Sequence, residues 1–277
     1  MAAAEGIRVG GTDLKVRRTG KGPPVVFLHG EDGLLFTEPF LERLGRTFEV
    51  IAPSHPAWGS PRPSYVRTVD DIAYIYLDLL EQLDGPCVVV GASMGGWLAA
   101  EIATKNETRI AALVLVAPIG VKTGGRDDRA FVDIYASGAD EVRAALYGDP
   151  VHAPDLSRLS DDDFLALATA QEAVTRFGWE PYMHNPQLRH RLARIRVPTL
   201  VVAGGNERFV LEPDYYEAFA SAIGPNAELA VIAGAGHRIE EEAPEELCDA
   251  VVRFVDRRGR PGAASASDRT SDRTRSG

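Results

Sequence analysis

Cysteine is scarce in this sequence, and long apolar runs are missing from it. The two cysteines among 277 residues, Cys87 and Cys248, show neither a disulfide framework nor a metal-ligand spacing, so we expect buried thiols. No run approaches the roughly 18 apolar residues of a membrane helix. The first residues lack the basic and apolar regions of a signal peptide. These absences predict a soluble protein of the reducing cytoplasm.

Positive charge is also under-represented, with 30 basic against 40 acidic residues and a formal net charge of −10. Such a surface repels nucleic-acid phosphates and anionic lipids. No group of histidines has metal-ligand spacing. We therefore expect a small-molecule substrate, no nucleic-acid or membrane partner, no metal and no cofactor. The sequence leaves the oligomeric state open.

What the chain does contain is an alternation of apolar runs and amphipathic segments. The apolar runs predict strands at 7–9, 14–18, 25–28, 48–51, 87–90, 110–116, 198–203 and 227–232. Helical spacing predicts helices at 37–44, from Thr68, near Trp97, between Pro213 and Gly224, and from Pro244. Strands that alternate with helices form a mostly parallel sheet with helices on both faces, which is an α/β fold.

This alternation stops between residues 121 and 192, where helical patterns at 140–147 and 160–177 have no strand between them. We interpret 121–192 as a helical lid over the carboxyl edge of a core formed by 1–120 and 193–258. Residues 259–277 have almost nothing to bury, which predicts a disordered tail.

A pentapeptide with a central serine, Gly91-Ala92-Ser93-Met94-Gly95, follows one of the predicted buried strands and precedes a predicted helix. A turn this tight needs glycine where a side chain would collide with the next element. The serine hydroxyl would project above the carboxyl edge of the sheet, as a nucleophile requires. Ser93 is therefore the predicted nucleophile.

A base and an acid follow later in the chain, each just beyond a predicted strand. Serine is a weak nucleophile until a base takes its proton, and the imidazole in turn needs a carboxylate to orient it. His237 ends the sequence Gly234-Ala235-Gly236-His237, and Glu207 ends Gly204-Gly205-Asn206-Glu207. Asp214 is the alternative acid.

Together, His29-Gly30, the serine pentapeptide, the turn at 204–207 and the turn at 234–237 resemble the α/β-hydrolase superfamily in order and spacing. The resemblance covers residues 5 to 256. It implies Ser93 as nucleophile, His237 as base, and an oxyanion hole formed by the backbone amides of Met94 and Glu31. The acid in relatives is usually aspartate, whereas this chain has Glu207.

The loop that carries Glu31 and Asp32 departs from the family, in which apolar residues or glycine are common at these positions. Carboxylates would oppose a developing oxyanion. We therefore expect both side chains to point to solvent. His29 is expected to be structural, and His55 and His184 to be loop or lid residues.

The implied activity is that of a serine hydrolase that cleaves a carboxylic ester or related acyl compound through an acyl-enzyme. Aromatic residues of the lid favour a medium-sized apolar or aromatic substrate. The expected substrate-binding residues are Trp97, Tyr135, Trp179, Tyr182, Met183 and Phe209. Two alternatives stay open, a carbon–carbon bond (diketone) hydrolase with the same triad and a receptor-like binding protein with little activity.

Overall fold

An eight-stranded sheet organises the protein, with strand order β1-β2-β4-β3-β5-β6-β7-β8. A computed structural model describes residues 5–125 and 128–258. The strands are β1 Glu5–Val9, β2 Thr12–Thr19, β3 Pro24–Leu28, β4 Glu49–Pro53, β5 Cys87–Ala92, β6 Ile110–Val116, β7 Thr199–Gly204 and β8 Ala227–Ile232. The hairpin β1–β2 is antiparallel and joins β4 in antiparallel register, whereas β4, β3, β5, β6, β7 and β8 are parallel.

Burial explains why the middle strands are continuous apolar runs. Every residue of β5 and β7 is buried, and in β6 only Ala111 is partly buried. Parallel strands covered on two faces have no polar side to present, so they consist of residues such as valine and leucine. At the β8 edge most residues are only partly buried.

The helices fall between these strands. Their bounds are α1 Glu38–Leu44, α2 Val69–Glu81, α3 Met94–Lys105, α4 Ala139–Leu146, α5 Asp161–Gly178, α6 Leu188–Arg191, α7 Tyr215–Ile223, α8 Ile239–Glu242 and α9 Pro244–Arg258. Short 3₁₀ turns lie at Pro150–His152, Leu156–Arg158 and Leu192–Arg194. Helices α2 and α3 pack together and α3 packs on β5, while α1 packs on α9. The predicted α/β fold class is confirmed.

Two predicted helix starts are wrong. Helix α3 begins at Met94, three residues before the predicted start, because the chain turns into the helix directly after Ser93. Helix α7 begins at Tyr215, so Pro213 precedes it, and Asp214 is its N-cap with left-handed backbone angles. By contrast, α2 begins after Thr68 as predicted, since Thr68 and Asp71 form a capping box.

Helices α4 and α5 belong to the segment predicted to be a lid, residues 121–192. This segment contacts the core at both sides, through bridges that join Gly120 to His184 and Phe131 to Val210. Trp58 of the core stacks on Phe177 of α5, with ring centroids 5.4 Å apart. That the segment acts as a lid stays a prediction.

Both cysteines are buried and unpaired, as expected. The predicted disordered tail, 259–277, lies outside the described residues. Within the described part of the chain, no helix combines the length and the apolar character needed to cross a bilayer.

Candidate active site

Ser93 stands at the junction of β5 and α3 in a strained backbone conformation. Its φ of 48° and ψ of −111° fall outside the ordinary regions for a residue with a side chain. Its amide donates to the carbonyl of Val116, and its carbonyl accepts from Trp97 N. Strain of this kind persists where the surrounding structure enforces it, often at functional sites.

Two glycines permit this turn because the chain passes itself at close range. A Cβ at Gly95 would lie 2.0 Å from the carbonyl oxygen of Leu28, and one at Gly91 would lie 2.2 Å from the carbonyl oxygen of Gly95. Real side chains do not tolerate such distances. The glycine requirement predicted from the sequence therefore has a specific steric cause.

His237 meets Ser93 from the loop that follows β8. Ser93 Oγ lies 2.7 Å from His237 Nε2. The backbone amide of His237 donates to the carbonyl of Leu146 at the end of α4, and the ring packs against Phe209 with centroids 4.6 Å apart. These contacts orient the imidazole toward the serine.

Glu207 completes the arrangement from the loop after β7. Its Oε2 lies 2.9 Å from His237 Nδ1 and also accepts from the hydroxyl of Tyr216 at 2.6 Å. Its Oε1 accepts from the amides of Phe209 and Val210 at 2.8 and 3.2 Å. Asp214, the alternative acid, is exposed at the start of α7. The structure thus brings together Ser93, His237 and Glu207.

Glu207 is held in its charged form. Burial by itself raises the pKa of this carboxyl, but the charge of His237 and hydrogen bonds from His237, Tyr216 and Phe209 outweigh burial and lower the pKa below its usual value. A carboxylate in this position fixes the imidazole with its proton on Nδ1, which leaves Nε2 free to accept the serine proton.

The loop after β3 faces the nucleophile from the other side. A Cβ placed at Gly30 would lie 3.6 Å from Ser93 Cβ. Glu31 follows Gly30 directly, and the role of its backbone amide as an oxyanion donor stays a prediction. Met94, the other expected donor, follows Ser93 directly and is buried at the start of α3.

The expectation that Glu31 and Asp32 point to solvent is wrong. Glu31 is only 6% exposed, and its Oε1 accepts from Ser93 Oγ at 2.7 Å. Its Oε2 accepts from Arg238 Nη1 at 2.8 Å, and Arg238 Nη2 donates to Asp32 at 2.7 Å. The reason is the buried guanidinium, which provides both carboxylates with a charged partner inside the protein.

Arg238 was missed by sequence reasoning, although it directly follows His237. Its side chain is 3% exposed. Burial lowers its pKa, but the charges of Asp32 and Glu31 outweigh burial and hold the pKa well above the usual value. Two adjacent acids in one loop and an arginine beside the predicted base were the available signal, because buried carboxylates require a cation.

His29 and His55 form a neutral pair behind the loop. His29 Nδ1 donates to the carbonyl of Gly30 at 2.8 Å, and His29 Nε2 accepts from His55 N at 2.9 Å. Burial lowers the pKa of His29 to about 4. These contacts agree with the structural role expected for His29. His184 bonds to the carbonyl of Tyr182 in the inserted segment.

A cavity of about 540 Å³ opens beside Glu31 and Arg238. Core loops and the inserted segment both line it, with Phe36, Val142, Leu146, Tyr147, Leu156, Leu167, Met183 and Phe209 among the apolar and aromatic walls. Its size falls within the usual range of small-molecule sites, about 300–1,000 Å³.

Of the six expected substrate-binding residues, Met183 and Phe209 line this cavity and the other four do not. Trp97 is buried in α3, where its indole donates to Glu101 at 3.2 Å. Tyr135 and Trp179 pack edge to face on the outer surface. The Tyr182 hydroxyl donates to the carbonyl of Val132, so this side chain stabilises the inserted segment internally. Aromatic character alone did not distinguish wall residues from packing residues.

Over 5–125 and 128–258, no three His, Cys, Asp or Glu side chains are grouped so that they could hold a metal ion. The ionisable groups around Ser93 pair with one another, His237 with Glu207 and Arg238 with both acids of the loop after β3.

A family model for alpha/beta hydrolases matches residues 25–250. The chain belongs to this alpha/beta hydrolase family. The matched range begins in β3 and ends in α9, so it includes Ser93, Glu207 and His237. Family membership confirms the resemblance inferred from the four sequence motifs.

Two relatives show how this alpha/beta hydrolase compares in length. A polyketide synthase of Burkholderia thailandensis is 32% identical over 275 residues, which cover 89% of this chain but 12% of that protein. An sn-1-specific diacylglycerol lipase of Mus musculus is 30% identical over 261 residues, covering 84% of this chain and 81% of the lipase. The chain therefore matches a small part of the first protein and most of the second.

The fold is shared with solved hydrolases. An esterase from Thermogutta terrifontis superposes with a TM-score of 0.70 at 24% identity, covering 92% of this chain and 99% of the esterase. At this identity the likeness shows the fold alone. The family match and the lipase relative support assignment of the chain as a hydrolase.

Proposed function

We propose that this protein is a serine hydrolase that cleaves a carboxylic ester or related acyl compound through an acyl-enzyme. The observation that carries the proposal is the relay from Ser93 Oγ to His237 Nε2 at 2.7 Å and from His237 Nδ1 to Glu207 at 2.9 Å. Such a relay activates a serine for attack on a carbonyl carbon.

In the proposed reaction, His237 takes the proton of Ser93 as Oγ bonds to the acyl carbon. The resulting oxyanion is stabilised by the backbone amides of Glu31 and Met94, and Glu207 stabilises the imidazolium. His237 then protonates the leaving alcohol. A water molecule, deprotonated by His237, attacks the acyl-enzyme and releases the acid and free Ser93.

The cavity walls support an acyl or alcohol group of medium size and largely apolar character. Met183 and Phe209 lie on the wall together with Leu146 and Leu167. The diacylglycerol lipase relative acts on a lipid ester, which is the same bond class. The lid role of the inserted segment is part of this proposal, because α4 and α5 supply much of the wall.

A fluorophosphonate probe tests the proposal because it reacts with an activated serine. We expect covalent labelling of the wild-type protein and none of Ser93→Ala, with p-nitrophenyl ester turnover lost in the same variant. Circular dichroism of Ser93→Ala serves as the folding control. Absence of labelling in every folded form would overturn the hydrolase and favour a receptor-like binding protein.

A comparison of substrates tests which type of bond the protein cleaves. Activity on vinylogous diketones that exceeds activity on all tested esters would contradict the ester assignment and favour carbon–carbon bond hydrolysis with the same three residues. Ester turnover that depends on Ser93 would support the assignment as proposed.

A further inference from the structure

The Glu31 carboxylate lies inside the proposed active site and contacts the nucleophile itself. One oxygen, Oε1, is 2.7 Å from Ser93 Oγ, and the other, Oε2, is 2.8 Å from Arg238 Nη1. A single carboxylate therefore bridges the serine and a buried cation. Nothing in the proposed reaction uses this side chain, since only the backbone amide of Glu31 has a role there.

The bridge competes with activation of the serine. A hydroxyl carries one proton, and both Glu31 Oε1 and a neutral His237 Nε2 are acceptors at 2.7 Å from Ser93 Oγ. When the proton is donated to Glu31, it is not available to His237. General-base catalysis requires the second arrangement.

The bridge also places negative charge where the reaction would develop it. Burial raises the pKa of Glu31, but Arg238, His237 and hydrogen bonds from Ser93 and from the backbone amide of Glu31 itself outweigh burial and lower the pKa. That amide is a proposed oxyanion donor. The geometry points the same way, because a carboxylate oxygen 2.7 Å from Ser93 Oγ stands where a substrate carbonyl must approach, and its charge would repel the negative charge of the tetrahedral intermediate.

Arg238 holds the carboxylate in this position. Its guanidinium packs on Gly30, where a Cβ would lie 2.8 Å from Nη1. Asp32 binds the other end of the guanidinium at 2.7 Å and also accepts from Gln171 of α5 at 3.1 Å. Because Asp32 and the close packing on Gly30 both hold Arg238, the bond to Glu31 is preorganised.

We propose that the Glu31 side chain is an internal occupant of the position beside Ser93 Oγ that a substrate carbonyl must enter, held there by Arg238, and that turnover requires its displacement toward the cavity. The inference rests on the proposed function. It defines a site for a small carboxylate between Ser93 and Arg238, which Glu31 fills in the resting protein. Substrate binding exchanges this intramolecular anion for the oxyanion of the reaction.

Displacement has a measurable consequence for rate. If the open arrangement holds about 1–10% of the population, as minor states commonly do, the apparent reactivity of Ser93 falls by the same fraction. Removal of the side chain then raises the rate about 10- to 100-fold. The backbone amide at position 31 is retained in any substitution except proline, so the oxyanion donor survives.

The test compares Glu31→Ala with Asp32→Asn, which removes the second negative charge on the guanidinium but keeps an oxygen that can accept from Arg238, so that the bridge from Glu31 to Ser93 remains. We measure the rate of fluorophosphonate labelling and the kcat and KM for p-nitrophenyl acetate. The expected result is faster labelling and a higher kcat for Glu31→Ala, with no comparable gain for Asp32→Asn.

Sodium acetate gives a second readout that a loss of packing would not produce. In Glu31→Ala we expect acetate to refill the vacated position and slow labelling back toward the wild-type rate, whereas chloride at equal ionic strength does not. The wild-type protein, whose position is filled, should respond to neither salt.

The outcomes separate this inference from the proposed function. Slower or unchanged labelling of folded Glu31→Ala would overturn the proposal that Glu31 blocks the site, and so would an equal rise in labelling rate in Asp32→Asn. Neither result would contradict the proposed hydrolase function. Faster labelling of Glu31→Ala that acetate does not slow would also overturn this inference, because no carboxylate site would then exist. Failure of all three proteins to label would overturn the proposed function, and the inference with it.

Discussion

At the scale of single residues, two glutamates contact the Ser93–His237 pair and accept hydrogen bonds from different donors. Glu207 accepts from the imidazole, a tyrosine and two backbone amides, so its charge is fixed on the far side of the histidine. Glu31 accepts from the nucleophile and from Arg238. In the proposed reaction the two glutamates therefore have opposite effects, since Glu207 supports proton transfer and Glu31 competes with it.

Substitution of the acid tests the first of these roles. We expect Glu207→Gln to lower kcat by about 10⁴-fold, because an amide no longer fixes the imidazole tautomer. Asp214→Asn is the matched control, since Asp214 is an exposed carboxylate seven positions later in the chain. Steady-state ester hydrolysis measures both variants. Loss of activity confined to Asp214→Asn would show that the acid is assigned incorrectly.

At the scale of elements, the site depends on how closely β5 and α3 approach β3. Strand β5 runs beside β3 in parallel register, with Leu28 opposite Gly91. The first turn of α3 then crosses the end of β3 at a distance that only glycine allows. The tight turn at Ser93 and the nearness of the loop after β3 are two results of the same close packing.

Gly95→Ala should therefore destabilise the protein by at least about 2 kcal/mol, because the new Cβ meets the Leu28 carbonyl rather than a movable side chain. Gly85→Ala provides the comparison, as nothing lies within 4 Å of its Cβ. We expect Gly85→Ala to change the free energy of unfolding by less than about 0.5 kcal/mol. Urea unfolding of both variants measures the difference, and similar values would refute the steric argument.

At the scale of the whole molecule, the proposed function divides chemistry and selectivity between two parts of the chain. Loops after β3, β5, β7 and β8 hold the reacting groups at one edge of the sheet, as open α/β sheets do. The inserted segment supplies α4 and α5, which add cavity walls such as Val142 and Leu167. Substrate preference is thus expected to respond to changes in the segment that leave the reacting groups in place.

Val142→Phe tests this division by reducing the cavity. We expect kcat/KM for a bulky aryl ester to fall by about tenfold or more relative to that for an acetate ester, the order of effect of a changed pocket volume. Val151→Phe is the control, because Val151 is 76% exposed and does not line the cavity. Equal loss for large and small esters, or an equal effect in the control, would contradict the assignment of the wall.

Much of the fold follows from local sequence. The sequence predicts strands 110–116 and 227–232 with the bounds that the structure shows, because each largely apolar run ends sharply at turn residues. Thr68 predicted the start of α2 because a capping box is a local pattern. The predicted start of α3 is three residues late. Glycines at 95 and 96 disfavour a helix locally, and tertiary packing imposes the helix there.

The sequence by itself determined the fold class and the order of Ser93, Glu207 and His237, because strand patterns and glycine turns depend on residues that are neighbours in the chain. Only the tertiary structure decided that Glu207 rather than Asp214 meets the histidine, that four aromatic residues lie away from the cavity, and that Glu31 enters the site. Those outcomes depend on distances between residues far apart in the chain, such as Glu31 and Arg238, which pair because a buried charge needs a partner of opposite sign.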